Sequence, residues 1–310
     1  MTPSGREPLP QTARSRPLDR AQAWLFGVLG RWVGRRRYAS LARGARWLLL
    51  LMHPFNRKRR HIVRRNLELC FPQLDDAARE DLVRATLLAN THGLLDAVYA
   101  WHAPTLDHAE IARIDGLEHL HAAFAQERGV VFLSGHFPGS ELVMRLLAEH
   151  AGRSIQPMVR RFPNPWLDAR IDAARVRHLG GTLDRGDAQA FCRAVRNGHG
   201  VFYGPDVDVK RRNVFLPFFG VPASTLDSMH VLLRRSGGVV VPGWVDRDAD
   251  GRLHIRIEAP WPDFPGRDGV AAAARYTAWV QEHVARNPAQ YQWMVKRFKT
   301  RPPGEPDLYA

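Results

Sequence analysis

A histidine and a glutamate that lie close together in the sequence, His136 and Glu141, are the residues best suited to acid–base chemistry. They bound the segment His136-Phe-Pro-Gly-Ser-Glu141, which directly follows the apolar run 129–133. A carboxylate that hydrogen-bonds one imidazole nitrogen fixes the ring tautomer and favours the protonated ring, so the other nitrogen can act as a general base. The spacing allows His136 to act as a base with Glu141 as its orienting partner. On spacing alone, a histidine that bonds a carboxylate for structural reasons is the favoured interpretation.

Two elements must position this pair. Residues 130–133 form a short apolar run next to glycine, which is typical of a buried strand, and residues 141–150 have a helical pattern. The Pro-Gly dipeptide between them disfavours a continuous helix, so Ser140 is expected to cap the helix while His136 stays at the strand end. Ligands of α/β sheets bind at the carboxyl ends of the strands. We therefore expect His136 to face a cleft.

The rest of the chain predicts an α/β fold with a mixed central sheet flanked by helices, because strand-like and helix-like segments alternate. Further strands are expected at 111–114, 155–159, 200–203, 238–244 and 254–257. Further helices are expected at 75–101, 165–177, 187–196, 224–235 and 268–286. The last two strands could pair across the turn at 248–251.

Composition limits the range of partners. The chain has 310 residues and a formal net charge of +14, nearly all of it from arginine. Because guanidinium groups bind phosphate through a planar fork, this surplus favours a phosphate-bearing or otherwise anionic partner, such as anionic lipid, nucleic acid or an acidic protein. The two cysteines, Cys70 and Cys192, are expected to be reduced, as in a cytosolic compartment.

The N-terminal part of the chain has the composition of a membrane-associated segment. Residues 1–20 are predicted to be a disordered tail, 21–65 amphipathic basic helices that associate with a membrane, and 66–310 the globular domain. The apolar stretches 23–33 and 41–53 are shorter than the roughly 18 to 20 residues that span a bilayer. Their tryptophans and arginines favour a helix in the headgroup plane. Ordinary core helices, or one tilted spanning helix, are the alternatives.

Several blocks, in order along the chain, resemble the late acyltransferases of lipid A biosynthesis, within the lysophospholipid acyltransferase superfamily. Residues 129–141 are similar to the superfamily's His-x4-Asp/Glu block, and Asn66-Leu-Glu-Leu-Cys-Phe-Pro72 resembles the family's Asn-Leu-x-x-Cys-Phe-Pro signature. Further resemblance lies in Val159-Arg160 followed by Asn164-Pro165, in 203–225 and in 288–302. The resemblance runs from about residue 20 to the end of the chain.

This resemblance implies a glycerolipid-acyltransferase-like fold and an acyl transfer at the cytoplasmic face of the cell inner membrane. A fatty acyl chain would pass from an acyl carrier protein thioester to a hydroxyl of a lipid A precursor, with His136 as base and Glu141 as its orienting partner. No metal or cofactor is implied, and the partners would be the carrier protein, the lipid and an anionic membrane surface, without nucleic acid. The alternatives are another lipid acceptor (a lysophospholipid, ornithine lipid or glycolipid) and a basic membrane- or nucleic-acid-binding protein without catalysis.

Five arginines are candidate ligands for anionic parts of the substrates. Arg160 and Arg161 follow a predicted strand, and the block match puts Arg160 at the family's arginine, where it is expected to contact a substrate phosphate or the reaction's oxyanion. Arg175, Arg177 and Arg185 are weaker candidates for contact with phosphate or carrier protein. A solvated loop arginine is the alternative for Arg160.

Three further features complete the predicted site. Asp206 and Asp208 follow the strand 200–203 and are candidate substrate-binding residues. A salt bridge near the site, such as one to Arg160, is the preferred role, and ligation of Mg²⁺ is the alternative. The run 214–219 could wall a groove for the acyl chain or be a plain core strand. The basic and aromatic segment 290–301 could form a rim that grips phosphates or an acidic carrier protein.

Overall fold

The computed structural model describes residues 17–52 and 56–310. Of the tail predicted over 1–20, residues 1–16 lie outside the described residues. Residues 17–20 belong to the first helix. The helices are α1 (Pro17–Gly34), α2 (Leu41–Met52), α3 (Arg57–Cys70), α4 (Asp76–His102), α5 (His108–Ile111), α6 (Leu117–Phe124), α7 (Ser140–Ala151), α8 (Pro165–Leu179), α9 (Ala188–Arg196), α10 (Met229–Ser236) and α11 (Gly269–Arg286).

The strands form one large sheet and one hairpin. They are β1 (Ala112–Asp115), β2 (Val130–Leu133), β3 (Ile155–Val159), β4 (Leu183–Asp184), β5 (Gly200–Tyr203), β6 (Asn213–Phe218), β7 (Val221–Leu226), β8 (Val239–Arg247) and β9 (Leu253–Ile257). The large sheet has seven strands in the order β1-β9-β8-β2-β5-β3-β4. Its pairs are parallel except β8–β9, which is antiparallel across the predicted turn. The predicted mixed sheet flanked by helices is confirmed.

Side chains of the central strand β2 alternate between two core layers. Val131 and Leu133 join a layer that includes apolar residues of α9, α10 and α11, called here the α9 layer. Val130 and Phe132 join the opposite layer with residues of α6 and α7, called here the α7 layer. Because successive side chains of a strand point to opposite faces, these layers cover the two faces of the sheet.

The N-terminal helices α1 and α2 both pack against α4. Val33 at the end of α1 and Leu41 at the start of α2 are buried in the α7 layer, whereas Leu49, further along α2, packs against the α9 layer. The boundary predicted between residues 65 and 66 lies inside α3, so the basic segment and the globular domain share one helix. Among residues 17–52 and 56–310, the helices lack the combination of length and hydropathy that crossing a membrane requires.

One predicted helix is wrong at its start. Residues 221–226 form strand β7, which pairs antiparallel with β6, and helix α10 begins only at Met229. The turn between the two strands uses Phe219 and Gly220, both with positive φ (51° and 79°). Of the two alternatives for 214–219, the structure supports the core strand. Phe218 is buried against Phe219, Trp293 and Phe298, and residues 214–219 are absent from the lining of the main cavity.

Candidate active site

The site lies where two neighbouring parallel strands end. Strand β2 ends at Leu133 and β5 at Tyr203, and these residues are partners in the register of the two strands. The chain continues to His136 from β2 and to Asp206 from β5. Gly204 allows the close approach, because a Cβ there would lie 3.3 Å from ring atoms of His136. The fold thus brings together two residues that are distant in the sequence.

Asp206 is the carboxylate partner of His136. Its Oδ1 lies 2.5 Å from Nδ1 of His136, and its Oδ2 accepts a hydrogen bond of 2.8 Å from the backbone N–H of the same residue. The Asp206 side chain is 4% exposed, whereas the His136 side chain is 44% exposed. Because Asp206 holds Nδ1, the other ring nitrogen, Nε2, is left to face a ligand.

The pair has complementary protonation preferences. Burial alone lowers the pKa of His136, but the charge and hydrogen bond of Asp206 outweigh burial and raise that pKa above its ordinary value. Burial likewise raises the pKa of Asp206, and the charge and hydrogen bonds of His136 outweigh it, so the pKa of Asp206 lies well below its ordinary value. Asp206 therefore stays ionised and favours the imidazolium that forms when His136 accepts a proton.

The predicted contact between His136 and Glu141 is replaced by another pairing. Glu141 accepts hydrogen bonds from Nε of Arg175 at 3.1 and 3.2 Å, from a terminal nitrogen of Arg175, and from Nε1 of Trp101 at 2.9 Å. The physical reason is the direction in which the Glu141 side chain points. Glu141 lies in the first turn of α7, and its carboxylate is held toward Trp101 of α4 and Arg175 of α8. Glu141 thus neutralises a buried arginine and does not hold the imidazole.

The cap of α7 also differs from the prediction. Gly139 occupies the N-cap position with φ of 91°, and Ser140 is the first helical residue, without a side-chain capping bond. A Cβ at Gly139 would meet the buried carboxylate of Asp96 at 2.7 Å, so a glycine is needed there for both space and conformation.

A cavity of about 1020 Å³ lies in front of His136. Its lining includes Glu141 and Arg175 on the side of the α7 layer, and residues of α9 and α10 on the other side. Apolar lining comes from Met144, Phe162 and Phe202, among others. The cavity is large enough for a ligand that carries both an apolar chain and polar groups.

The structure separates the five candidate arginines, of which Arg177 is exposed and lies outside the cavity lining. Arg160 and Arg185 are exposed, follow the parallel strands β3 and β4, and line the cavity. Burial and then the nearby charge of Arg160 lower the pKa of Arg185. Arg175 lines the cavity but is paired with Glu141, and Arg161 lies outside the lining, 3.6 Å from Asp184. The positive charge of Arg160 and Arg185 thus faces the cavity.

Asp208 and the C-terminal segment have structural contacts. Asp208 accepts hydrogen bonds from the backbone N–H and the hydroxyl of Thr300, both at 2.9 Å, and is absent from the cavity lining. Arg297, predicted to lie on a basic rim, is instead buried and donates to the Ser224 carbonyl at 2.9 Å. Asp206 was expected to form a salt bridge near the site, with Arg160 as one possible partner, and the structure pairs it with His136 instead of Arg160.

Sequence reasoning missed two features of the site. The first is the role of Asp206 as partner of His136; the available signal was that each residue follows a short buried strand. The second is a group of arginines on α9 and α10 that lines the cavity. The signal for it was that arginines recur at helical spacing in 188–196 and 229–236.

Both cysteines are free, as predicted, and Cys192 lies in the cavity lining.

Comparison with known proteins gives the family. Residues 12–300 match the sequence model of the family described as bacterial lipid A biosynthesis acyltransferase. The chain is 34% identical to the lipid A biosynthesis lauroyltransferase of Escherichia coli K12 over 262 residues, which is 82% of this chain and 84% of that protein. It is 30% identical to the palmitoleoyltransferase of the same organism over 312 residues (97% and 99%) and to the myristoyltransferase over 249 residues (79% and 76%). The chain therefore belongs to the bacterial lipid A biosynthesis acyltransferase family and is an acyltransferase.

Proposed function

We propose that this protein transfers a fatty acyl chain from an acyl carrier protein thioester to a hydroxyl of a lipid A precursor, with His136 as the general base. The observation that carries the proposal is the His136–Asp206 pair, whose imidazole opens into the large cavity. The relatives named as lipid A lauroyl-, palmitoleoyl- and myristoyltransferases support the lipid acceptor.

In the proposed step, one proton moves from the acceptor hydroxyl to His136 and then to the leaving thiolate. Nε2 of His136 takes the proton from the acceptor hydroxyl as its oxygen attacks the thioester carbonyl, and a tetrahedral oxyanion forms. The carbon–sulfur bond then breaks, the new ester remains on the lipid, and His136 returns the proton to the departing thiolate. Asp206 stabilises the imidazolium throughout, since its carboxylate is buried and already bonded to Nδ1.

Arg160 and Arg185 are proposed to supply positive charge beside this step. Both line the cavity at the carboxyl edge of the sheet, and the charge of Arg185 acts on His136. A cation at this edge can stabilise the oxyanion or bind a phosphate of the acceptor. Glu141 keeps Arg175 paired at the cavity wall, so its proposed role is to preserve the shape of the site.

We further propose that α1 and α2 rest on the cytoplasmic face of the inner membrane. Several large apolar side chains on these helices are 50% to 74% exposed, among them Trp24, Leu29 and Trp32 on α1 and Trp47 and Leu51 on α2. Exposed arginines flank them, and the guanidinium of Arg36 lies 4.2 Å from the ring centre of Trp32. Apolar and basic side chains in this arrangement suit an anionic lipid surface.

The experiment is an acyl transfer assay with purified protein, an acyl-loaded carrier protein and a lipid A precursor, followed by mass spectrometry of the lipid. His136→Ala is expected to lower turnover by about 10² to 10⁴. The matched control is His121→Ala, which removes an exposed histidine outside the cavity lining. Acylation of a lysophospholipid in place of the lipid A precursor would overturn the acceptor assignment, and full turnover by His136→Ala would overturn the mechanism.

A further inference from the structure

One wall of the cavity combines an apolar surface with a cluster of arginines. The wall is formed by α9 and α10, which pack against each other. Ala188, Cys192, Val231 and Leu232 give it apolar area. Arg193, Arg196 and Arg235 also line the cavity from these two helices, and all three are exposed. This set of residues is called here the α9–α10 wall.

The three guanidinium groups of the wall lack acidic partners within the described ranges 17–52 and 56–310. Among the residues that the structure describes, carboxylates form ion pairs with arginines such as Arg64, Arg175 and Arg301, but not with those of the wall. Arg196 donates a hydrogen bond of 2.6 Å to the backbone carbonyl of Arg235. This bond holds the Arg196 side chain in place without neutralising the charge of its guanidinium group. A cluster of uncompensated guanidinium groups at a cavity is suited to binding phosphate.

The wall lies on the opposite side of the sheet from α1. Apolar residues of α9 and α10 belong to the α9 layer, whereas Val33 at the end of α1 is buried in the α7 layer. Helix α1 also packs against α8, which contributes Arg175 to the cavity lining. A lipid that enters from the surface of α1 therefore approaches His136 from the side of the α7 layer. The arginines of the α9–α10 wall are placed to meet the other substrate.

We propose that the α9–α10 wall is the entry path of the thioester donor and that Arg193, Arg196 and Arg235 bind the phosphate of its phosphopantetheine arm. This inference rests on the proposed function, because it needs a thioester donor. The pantetheine arm is uncharged and links a thioester at one end to a phosphate at the other. The thioester end lies near His136, the arm lies along the apolar part of the wall, and the phosphate meets the guanidinium groups.

The test compares donors that share the thioester but differ in phosphate. The variant is Arg193→Glu combined with Arg235→Glu, and the donors are acyl carrier protein, acyl-coenzyme A and an acyl-pantetheine without phosphate, each with the same acyl chain. The variant is expected to raise KM about tenfold or more for the first two donors, because two charge-assisted contacts become repulsive. KM for acyl-pantetheine and KM for the lipid acceptor are expected to change little.

A neighbouring arginine provides the matched control. Arg234 is exposed on the same helix as Arg235 but is outside the cavity lining, so Arg234→Glu makes a comparable charge change and is expected to leave the KM for each donor unchanged. A rise in KM for carrier protein alone would assign the wall to the protein surface of the donor and overturn the phosphate contact.

Two further outcomes would overturn the inference. An unchanged donor KM in the double variant, or a rise confined to the lipid acceptor, would show that the wall does not receive the donor. Both outcomes are separate from failure of the proposed function, because wild-type turnover and its dependence on His136 are measured in the same assay.

Discussion

Asp206 accepts two hydrogen bonds from His136, one from the backbone N–H and one from the imidazole Nδ1. One carboxylate therefore fixes both the main chain and the ring of the same residue. Rotation of the imidazole would break the shorter contact, so Nε2 is held toward the cavity. This relationship makes Asp206 the residue that sets the orientation and the basicity of His136.

We predict that Glu141→Gln lowers stability without removing the partner of His136. The substitution leaves the charge of Arg175 unpaired at a site where its side chain is only 5% exposed. Loss of one partner of a buried ion pair costs about 3 to 5 kcal/mol, so the free energy of unfolding is expected to fall by several kcal/mol. Urea unfolding followed by tryptophan fluorescence measures this change.

The double variant Glu141→Gln, Arg175→Met serves as the control. It removes the buried charge as well as its partner, so it is expected to be more stable than Glu141→Gln alone. Additive losses from the two substitutions would contradict the assigned pairing.

We predict that Asp208→Ala affects folding stability and leaves acceptor binding intact. Asp208 holds the C-terminal segment through two hydrogen bonds to Thr300, and their loss is expected to lower the free energy of unfolding by about 1 to 2 kcal/mol. Thr300→Val removes only the hydroxyl and is expected to cost about half as much. A large rise in KM for the lipid with unchanged stability would instead make Asp208 a substrate ligand.

We predict that apolar side chains of α1 and α2 drive membrane binding. Trp24→Glu combined with Trp47→Glu is expected to weaken binding to anionic vesicles by about tenfold or more. The reason is that each substitution removes the favourable free energy of moving an apolar tryptophan ring from water into the membrane surface. Vesicle flotation measures the bound fraction. Val270→Glu is the control, since Val270 is 47% exposed on α11, away from these helices. Equal binding of all variants would argue against the proposed surface.

Much of the fold could be predicted from the sequence, because its elements have clear local patterns. Helix α4, expected over 75–101, spans Asp76–His102, and the side chain of Asp75 at its N-cap accepts a hydrogen bond from the backbone N–H of Ala78. Strands β8 and β9 pair across the predicted turn. The hairpin of β6 and β7 was not predicted. Strand β7 contains Pro222 and ends only three residues before α10 begins, so its last residues were assigned to the helix.

The partner of His136 could not be predicted, because it depends on the order of strands. Asp206 is 70 residues from His136 in the chain, and they meet only because β5 lies directly beside β2 in the sheet. Glu141 is nearer to His136 in the sequence, but its side chain at the start of α7 points toward Arg175 and forms an ion pair with it. Proximity in the sequence singled out His136 but not the carboxylate that its imidazole contacts in the structure.

The most direct test of the account is the pH dependence of kcat/KM for wild type, Asp206→Asn and Glu141→Gln. Since a general base must be unprotonated, the wild-type rate is expected to rise with pH through a pKa above the ordinary 6.5 of histidine. Asp206→Asn removes the charge that favours imidazolium, so its slower residual rate is expected to rise at lower pH, whereas Glu141→Gln keeps the wild-type midpoint. A midpoint that moves with Glu141→Gln and stays fixed with Asp206→Asn would contradict the account.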